Sequence, residues 1–451
     1  MSQNRKKITS LLVANRGEIA VRIIRACRDM GIRSVAVYSQ ADKDSLAVHL
    51  ADQSVCIGPA DSRSSYLMAH NIIMAACATR CDAIHPGVGF LSENADFARA
   101  VEEAGLVFIG PRPETISLLG DKIQARTVAQ KAGLTITPGS DGAILNEEHA
   151  RQVAESIGYP VMVKAANGGG GRGIRIVKNA KELVRILPVA LQEAESSFGN
   201  ATLLMEKYLD HPRHIEAQLL GDGAGGAFFL GLRDCSLQKN HQKLMEESPA
   251  PHLPAAAVAE VRTASVALFQ SLSYRGAGTV EYLYQDGQFY FMEVNARLQV
   301  EHPVSEIIYG TDLVRQQILL ASTGTFSPDL PAFTERGHAL ECRITALSAG
   351  KITALHLPSG LGVRVDTHIY DGYEVPPYYD SLLAKIITYG PDRSSCIDTM
   401  LRALRELSLE GITTNKVEQE MIVSSSAFRA GKLDTALYGK LVDAQKKGKD
   451  A

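Results

Sequence analysis

The sequence predicts an α/β opening domain, a middle block of mixed strands and helices and a separate last block, and three observations carry that prediction. First, the apolar run Ile8 to Ala14, the helically spaced apolar residues of Glu18 to Arg28 and the second apolar run Ser34 to Tyr38 read together as a βαβ unit with parallel strands. Second, from about residue 121 to 335 the pattern turns to strands of antiparallel character interleaved with helices. Third, a last block from Gly337 to about Gly439 follows the junction Ser327-Pro328-Asp329-Leu330-Pro331. A length of 451 residues accommodates about three domains.

Within the first domain, Ala83-Ile84 and Leu106 to Ile109 run into the turns His85-Pro86-Gly87 and Gly110-Pro111-Arg112-Pro113, which makes them strand ends of the same sheet, closing near Gly120. The tail Lys446 to Ala451 is polar and is expected to fray.

Composition excludes several classes. With 45% hydrophobic and 22% charged residues the chain can build cores, and a net charge of −3 offers no basic field for nucleic acid. Arg5, Lys6 and Lys7 precede an apolar run, but Asn15-Arg16 cuts that run short of a signal-peptide core. No stretch reaches the ~20 apolar residues of a membrane span. Cys27, Cys56, Cys77, Cys81, Cys235, Cys342 and Cys396 are odd in number and form no C-x-x-C pair, as expected of reduced thiols in the cytoplasm. Ala14-Asn15-Arg16-Gly17-Glu18 has one glycine where a dinucleotide fingerprint needs three, which disfavours NAD.

Two segments point to chemistry. Tyr159 to Lys164 reads as a strand ending in a lysine, followed by Gly168-Gly169-Gly170-Gly171-Arg172-Gly173 and a second strand, Ile174 to Val177. Consecutive glycine N–H groups in such a hairpin can converge on phosphate, with Lys164 as a point charge; a flexible linker with a solvated lysine is the competing reading. No Gly-Lys-Ser/Thr follows, so this is not a Walker A loop.

The second segment is a hairpin, Thr279 to Tyr284 and Gln288 to Glu293 around Gln285-Asp286-Gly287. With a two-residue turn Glu281 would oppose Met292 and Glu293 would lie on the other face. A three-residue loop sets Glu281 opposite Phe291 with Glu293 sharing its face, and a joint site for both carboxylates requires that register. Beyond it Glu293, Asn295, Arg297, Gln299 and Glu301 alternate with apolar residues, so an extended segment would project all five from one side. Two carboxylates and an amide oxygen suit Mg²⁺ beside phosphates; the competing reading is a solvated edge strand. Arg233 to Lys243 is dense in donors and acceptors, although Lys243 by itself could be a surface ion-pair partner of Glu246-Glu247.

Taken together, Ala14 to Ala20, His85-Pro86-Gly87, Phe90 to Asn94, Gly120-Asp121-Lys122, the glycine hairpin, Met205 to Leu209, Arg233 to Ser236, His241-Gln242-Lys243, Glu293 to Pro303 and Glu341-Cys342-Arg343 resemble the biotin carboxylases of the ATP-grasp superfamily, over about residues 8 to 440. The resemblance implies a Rossmann-like pre-ATP-grasp domain at 1–120, an ATP-grasp domain at 121–335 with a mobile glycine-rich lid at about 136–205, a C-terminal α+β domain at 336–445, and the frayed tail 446–451. It implies ATP held by Lys122, Lys164, Gly170, Gly171, Glu206, Lys207, Tyr208, Leu209, His214, Gln238 and His241. By the same resemblance Mg²⁺ or Mn²⁺ is held by Glu281, Glu293 and Asn295, and bicarbonate by Lys243, Arg297, Gln299, Val300 and Glu301, with Glu301 as base. Arg343 would face the ureido oxygen of biotin. Arg22, Arg25 and Asp29 match a homodimer contact, the competing reading being a solvated helix face.

The chain departs from the family at Val88, where tyrosine is usual, at Asn167 in the glycine run, at Leu232, and in a shortened loop after Arg343. No methionine is followed by lysine, so the Met-Lys-Met biotin attachment motif is missing. The expectation is a biotin carboxyl carrier protein and a carboxyltransferase in trans, with acetyl-CoA carboxylase as the holoenzyme and pyruvate or another acyl-CoA as alternative acceptors. Another ATP-grasp ligase, or a non-catalytic paralogue, would be the competing functions.

Overall fold

The computed structural model describes residues 7–166, 174–198, 202–330 and 334–449. The opening βαβ unit forms as expected. Strands Gln53–Gly58, Arg33–Ser39, Ser10–Val13, Ala83–His85 and Val107–Phe108 make a five-stranded sheet in that spatial order, every pair parallel. Gly17 takes a φ of +67°, a left-handed conformation that glycine adopts without strain, and it starts the helix Gly17–Asp29 directly after the first strand.

That helix corrects the homodimer expectation in part. Arg22 is buried and its guanidinium is spent inside the chain, on Glu306 at 2.9 Å and Asp312 at 2.6 Å. The apolar stripe of the helix is so wide that Arg22 falls within the packed face; Arg25 and Asp29 remain exposed.

The second sheet has eight antiparallel strands in the order Gln288–Asn295, Arg275–Gln285, Arg213–Asp222, Ala227–Lys239, Gln242–Ser248, His338–Thr345, Leu382–Gly390 and Val363–Thr367. It runs without interruption across the Pro-containing junction. A separate three-stranded sheet, Ile174–Val177, Val161–Ala165 and Leu203–Lys207, carries the helices Glu147–Ile157 and Ala180–Phe198 over a core of its own that includes Val163, Leu187 and Met205. Lys164 pairs with Ile174, so the expected hairpin is present, while Asn167, Gly170 and Gly171 lie outside the described residues.

The hairpin at 275–295 corrects the register expectation. Its turn has two residues, Asp286 and Gly287, both at positive φ (51° and 82°), the twist that fits a tight hairpin, and Gln285 opposes Gln288. Regular pairing from that turn would set Glu281 against Met292. Instead a bulge at Met292 inserts one extra residue, and Glu281 directly opposes Glu293.

The strand then ends at Asn295, and residues 296–301 turn into the helix His302–Tyr309, so the alternating segment is not one extended strand. Pro303 in the first helical turn explains the switch, since its fixed φ suits a helix start. The tail expectation is corrected as well, because the helix Leu437–Lys449 carries past residue 446. Among the described residues no helix is long and apolar enough to cross a membrane. All seven cysteines are free thiols, with Cys56 and Cys77 exposed.

Candidate active site

Strand alternation builds the floor of the site. His214, Glu216 and Gln218 occupy every second position of Arg213–Asp222 and therefore share a face. Cross-strand pairing sets Glu216 against Glu281 on one side and against Arg233 on the other, and Glu281 against Glu293, so one row of charges crosses four strands. Above it opens a cleft of about 1660 Å³. Every described site residue expected from the sequence lines it, from Lys122 to Arg343, while Gly170 and Gly171 lie outside the described residues. Val88 lines it too, whereas Leu232 is packed in the core beneath.

Lys243 is no surface residue. Its side chain is 15% exposed, and its ammonium bridges Glu216, Glu281 at 3.2 Å and Glu301 at 2.7 Å. Arg343 Nη2 donates to the other oxygen of Glu301 at 2.9 Å. Burial pushes the Glu301 carboxyl up, yet Lys243 and Arg343 overcome burial and the repulsion of Glu216 and hold it below the usual range. Glu301 is thus an ionised carboxylate clamped between two cations. Arg297 donates to Glu93 at 2.8 Å, to Gln299 Oε1 at 2.9 Å and to Asn295 Oδ1 at 3.1 Å.

Glu281 and Glu293 differ in electrostatics. Against burial, Lys243 and His214 hold Glu281 well below the ordinary carboxylate value. It accepts from Asn295 Nδ2 at 2.7 Å, Gln299 Nε2 at 3.1 Å and His214 Nε2 at 3.0 Å. Gln238 Nε2 faces His214 Nδ1 at 2.8 Å, which leaves Nε2 as the protonated nitrogen. Glu293 is pushed up, first by burial and then by the charge of Glu281. Two opposed buried carboxylates, one of them disfavoured as an anion, form a donor set that fits a hard divalent cation, while Asn295 presents its Nδ2 to Glu281 and its Oδ1 to Arg297. The groupings of His214, Glu216 and Glu281, and of Glu216, Cys235 and Glu301, also lie at ligand spacing. There the Lys243 ammonium already supplies the positive charge.

At the other end of the cleft Glu206 accepts from both Lys164 and Arg126, which hold it below its usual value despite burial. Burial lowers Lys122, partly offset by Glu293. The Lys207 ammonium is turned onto the carbonyls of Gly158 at 2.9 Å and Tyr159 at 3.1 Å, so its backbone and stem, rather than its charge, are presented to the cleft.

Sequence reasoning assigned no site role to Arg126, Glu216, Arg233 or Glu93, although Arg233 and Glu93 lie in segments that carry the family resemblance. The other two also carried a signal: Glu216 continues the period-two polar series from His214, and Arg126 lies one helical turn beyond Lys122. Arg233 is fully buried on Gln218 at 2.6 Å, Glu216 at 3.0 Å and Ser305 at 3.0 Å, contacts that exist only once three elements meet.

Comparison with known proteins matches three family descriptions along the chain: the biotin carboxylase N-terminal domain at residues 7–116, the carbamoyl-phosphate synthase L chain ATP-binding domain at 121–327, and the biotin carboxylase C-terminal domain at 342–439. The biotin carboxylase of Allochromatium vinosum is 51% identical over 94% of this chain and 96% of its own. The biotin carboxylase of Campylobacter jejuni in complex with β,γ-ATP superposes with a TM-score of 0.93 at 44% identity, covering 96% of this chain and 99% of that one. The biotin carboxylase domain dimer of Hydrogenobacter thermophilus 2-oxoglutarate carboxylase, solved with MgADP, ADP and bicarbonate, superposes with a TM-score of 0.91 at 42% identity, covering 96% and 97%.

Proposed function

The chain belongs to the biotin carboxylase family, and on that premise we propose that it uses ATP and bicarbonate to carboxylate biotin through carboxyphosphate, with the residues of the cleft in the following roles. The observation that carries the reading is Glu301, ionised between Lys243 and Arg343 and adjacent to the opposed pair Glu281 and Glu293.

Lys122, Lys164, Glu206, Tyr208, Leu209, His214, Gln238 and His241 hold the nucleotide, with the backbone of Lys207 and the glycines Gly170 and Gly171. Glu281, Glu293 and Asn295 would hold Mg²⁺ or Mn²⁺, which when bound neutralises phosphate oxygens for attack. Arg297, Lys243, Gln299 and the Val300 amide hold the bicarbonate anion while Glu301 takes its proton, giving the oxygen nucleophile that attacks the γ-phosphorus and releases ADP. Carboxyphosphate breaks to CO₂ and phosphate, and the phosphate takes the ureido proton of biotin. Arg343 stabilises the enolate-like oxygen, and the ureido nitrogen attacks CO₂.

The same reading extends to assembly. Biotin arrives on a carrier protein, the carboxyltransferase is a further polypeptide, the chain pairs with a second copy, and the compartment is the cytoplasm. The acceptor this reading assigns to the holoenzyme is acetyl-CoA, with pyruvate or another acyl-CoA as the alternatives.

The deciding assay is ATP hydrolysis with free biotin, with and without bicarbonate. Phosphate release that requires bicarbonate is expected; release independent of bicarbonate would indicate another ATP-grasp ligase. Nucleotide binding with no turnover would indicate a non-catalytic paralogue.

A further inference from the structure

Below the floor of the cleft, Lys385 is fully buried in the strand Leu382–Gly390. Pairing on both sides sets it between Arg343 and Asp366, so its side chain leaves the sheet on the same face as Arg343. Its ammonium stands 3.0 Å from Glu18 Oε2 and 3.9 Å from Asp366 Oδ2, and donates to the carbonyl oxygen of Val300 at 2.8 Å. One buried cation therefore joins the first helix of the opening domain, the turn that follows the Glu281–Glu293 hairpin, and the last block of the chain.

The two carboxylates alone would meet the electrostatic need of a buried ammonium. The third contact is of another kind. The Val300 carbonyl belongs to the peptide unit that joins Val300 to Glu301, in a segment, 296–301, that lies outside any strand. A donor fixed from below sets the plane of that peptide and hence where the Glu301 carboxylate emerges between Lys243 and Arg343.

We propose that Lys385 is a positioning residue for bicarbonate: it orients the Val300–Glu301 peptide, while Glu18 anchors its ammonium. This rests on the reading of Val300 and Glu301 as part of the bicarbonate pocket. Among the described residues the polar partners of the Lys385 ammonium are Glu18, Asp366 and Val300, none of which is assigned to the nucleotide, so the effect is expected on one substrate.

The test compares the unsubstituted enzyme with Lys385→Met and with Lys385→Met/Glu18→Gln, measuring KM for bicarbonate and for ATP together with Tm. The expected result for Lys385→Met is a bicarbonate KM raised on the order of tenfold, an ATP KM within about twofold, and a lowered Tm. Adding Glu18→Gln removes the stranded anion and restores Tm, but leaves the bicarbonate KM raised. A bicarbonate KM that recovers along with Tm, or that moves in step with the ATP KM, overturns the proposal. Lys385→Arg keeps the charge but carries its donors farther out, giving a second reading should the methionine variants not fold: a raised bicarbonate KM is expected, and an unchanged one overturns the proposal. Absence of bicarbonate-dependent turnover in the unsubstituted enzyme would overturn the parent reading and this inference with it.

Discussion

Glu281 and Glu293 stand directly opposite each other across an antiparallel pair, although the two-residue turn joining their strands would place them one residue out of step. The Met292 bulge supplies the missing residue. A tight, well-formed turn and a joint acidic site are thereby compatible in one hairpin.

Glu293 sits in this pair as the disfavoured anion, raised by burial and by Glu281. Glu293→Gln removes like-charge repulsion, so Tm of the metal-free protein is expected to stay level or rise, while Mg²⁺-dependent ATP turnover falls at least ~100-fold. Parallel losses of Tm and activity in a thermal-shift and phosphate-release comparison would contradict this.

Lys243 is the shared cation of Glu216, Glu281 and Glu301. Lys243→Met leaves three buried carboxylates with only Arg233, His214 and Arg343 as partners and is expected to destabilise by about 3–5 kcal/mol in urea unfolding, in addition to abolishing turnover. A variant of unchanged stability would show that the three acids do not need this partner.

Glu341 and Glu247 are both buried acids but should respond oppositely to amide substitution. Neither oxygen of Glu341 has a hydrogen-bond partner among the described residues, and burial, joined by Glu246 opposite and opposed by Lys385, raises it well above its ordinary value, which favours its neutral form. Glu247 is held down against burial by His338 at 2.6 Å and Arg393 at 2.7 Å. Glu341→Gln is expected to cost under about 1 kcal/mol and Glu247→Gln about 3 kcal/mol. Equal costs in denaturant titrations would refute the assignment.

Two histidines set an acid limit. Burial holds His85 and His368 down at about 3, against about 6.5 in an unfolded chain. Unfolding therefore takes up protons once the pH drops below 6.5, and stability falls continuously from there toward pH 3. At pH 5 each histidine should have removed about 2 kcal/mol relative to pH 7. His368→Gln should flatten the pH 7 to 5 stability slope by that amount; an unaltered slope would count against it.

Much of this architecture was legible because it rests on local pattern. The apolar runs at 8–14 and 34–38 and the helical spacing between them specify the parallel unit, and the β-formers around Asp286-Gly287 specify the hairpin. The residues that line the cleft were legible as motif, although the alternation beyond Glu293 does not continue as one strand. The Met292 bulge was not, since a one-residue insertion has no compositional signature and is decided by what the two strands bury. The internal role of Arg22 was equally hidden: Glu306 and Asp312, its partners, are nearly three hundred positions away. Nothing local marks Lys385, whose partners Glu18 and Val300 lie far away in the sequence.

The eight-stranded sheet crosses the junction near residues 327–330, with Gln242–Ser248 hydrogen-bonded to His338–Thr345. Severing the chain there would strip the ladder from both cut edges and leave each fragment with a raw strand prone to self-association. Recombinant halves should therefore precipitate rather than reassemble.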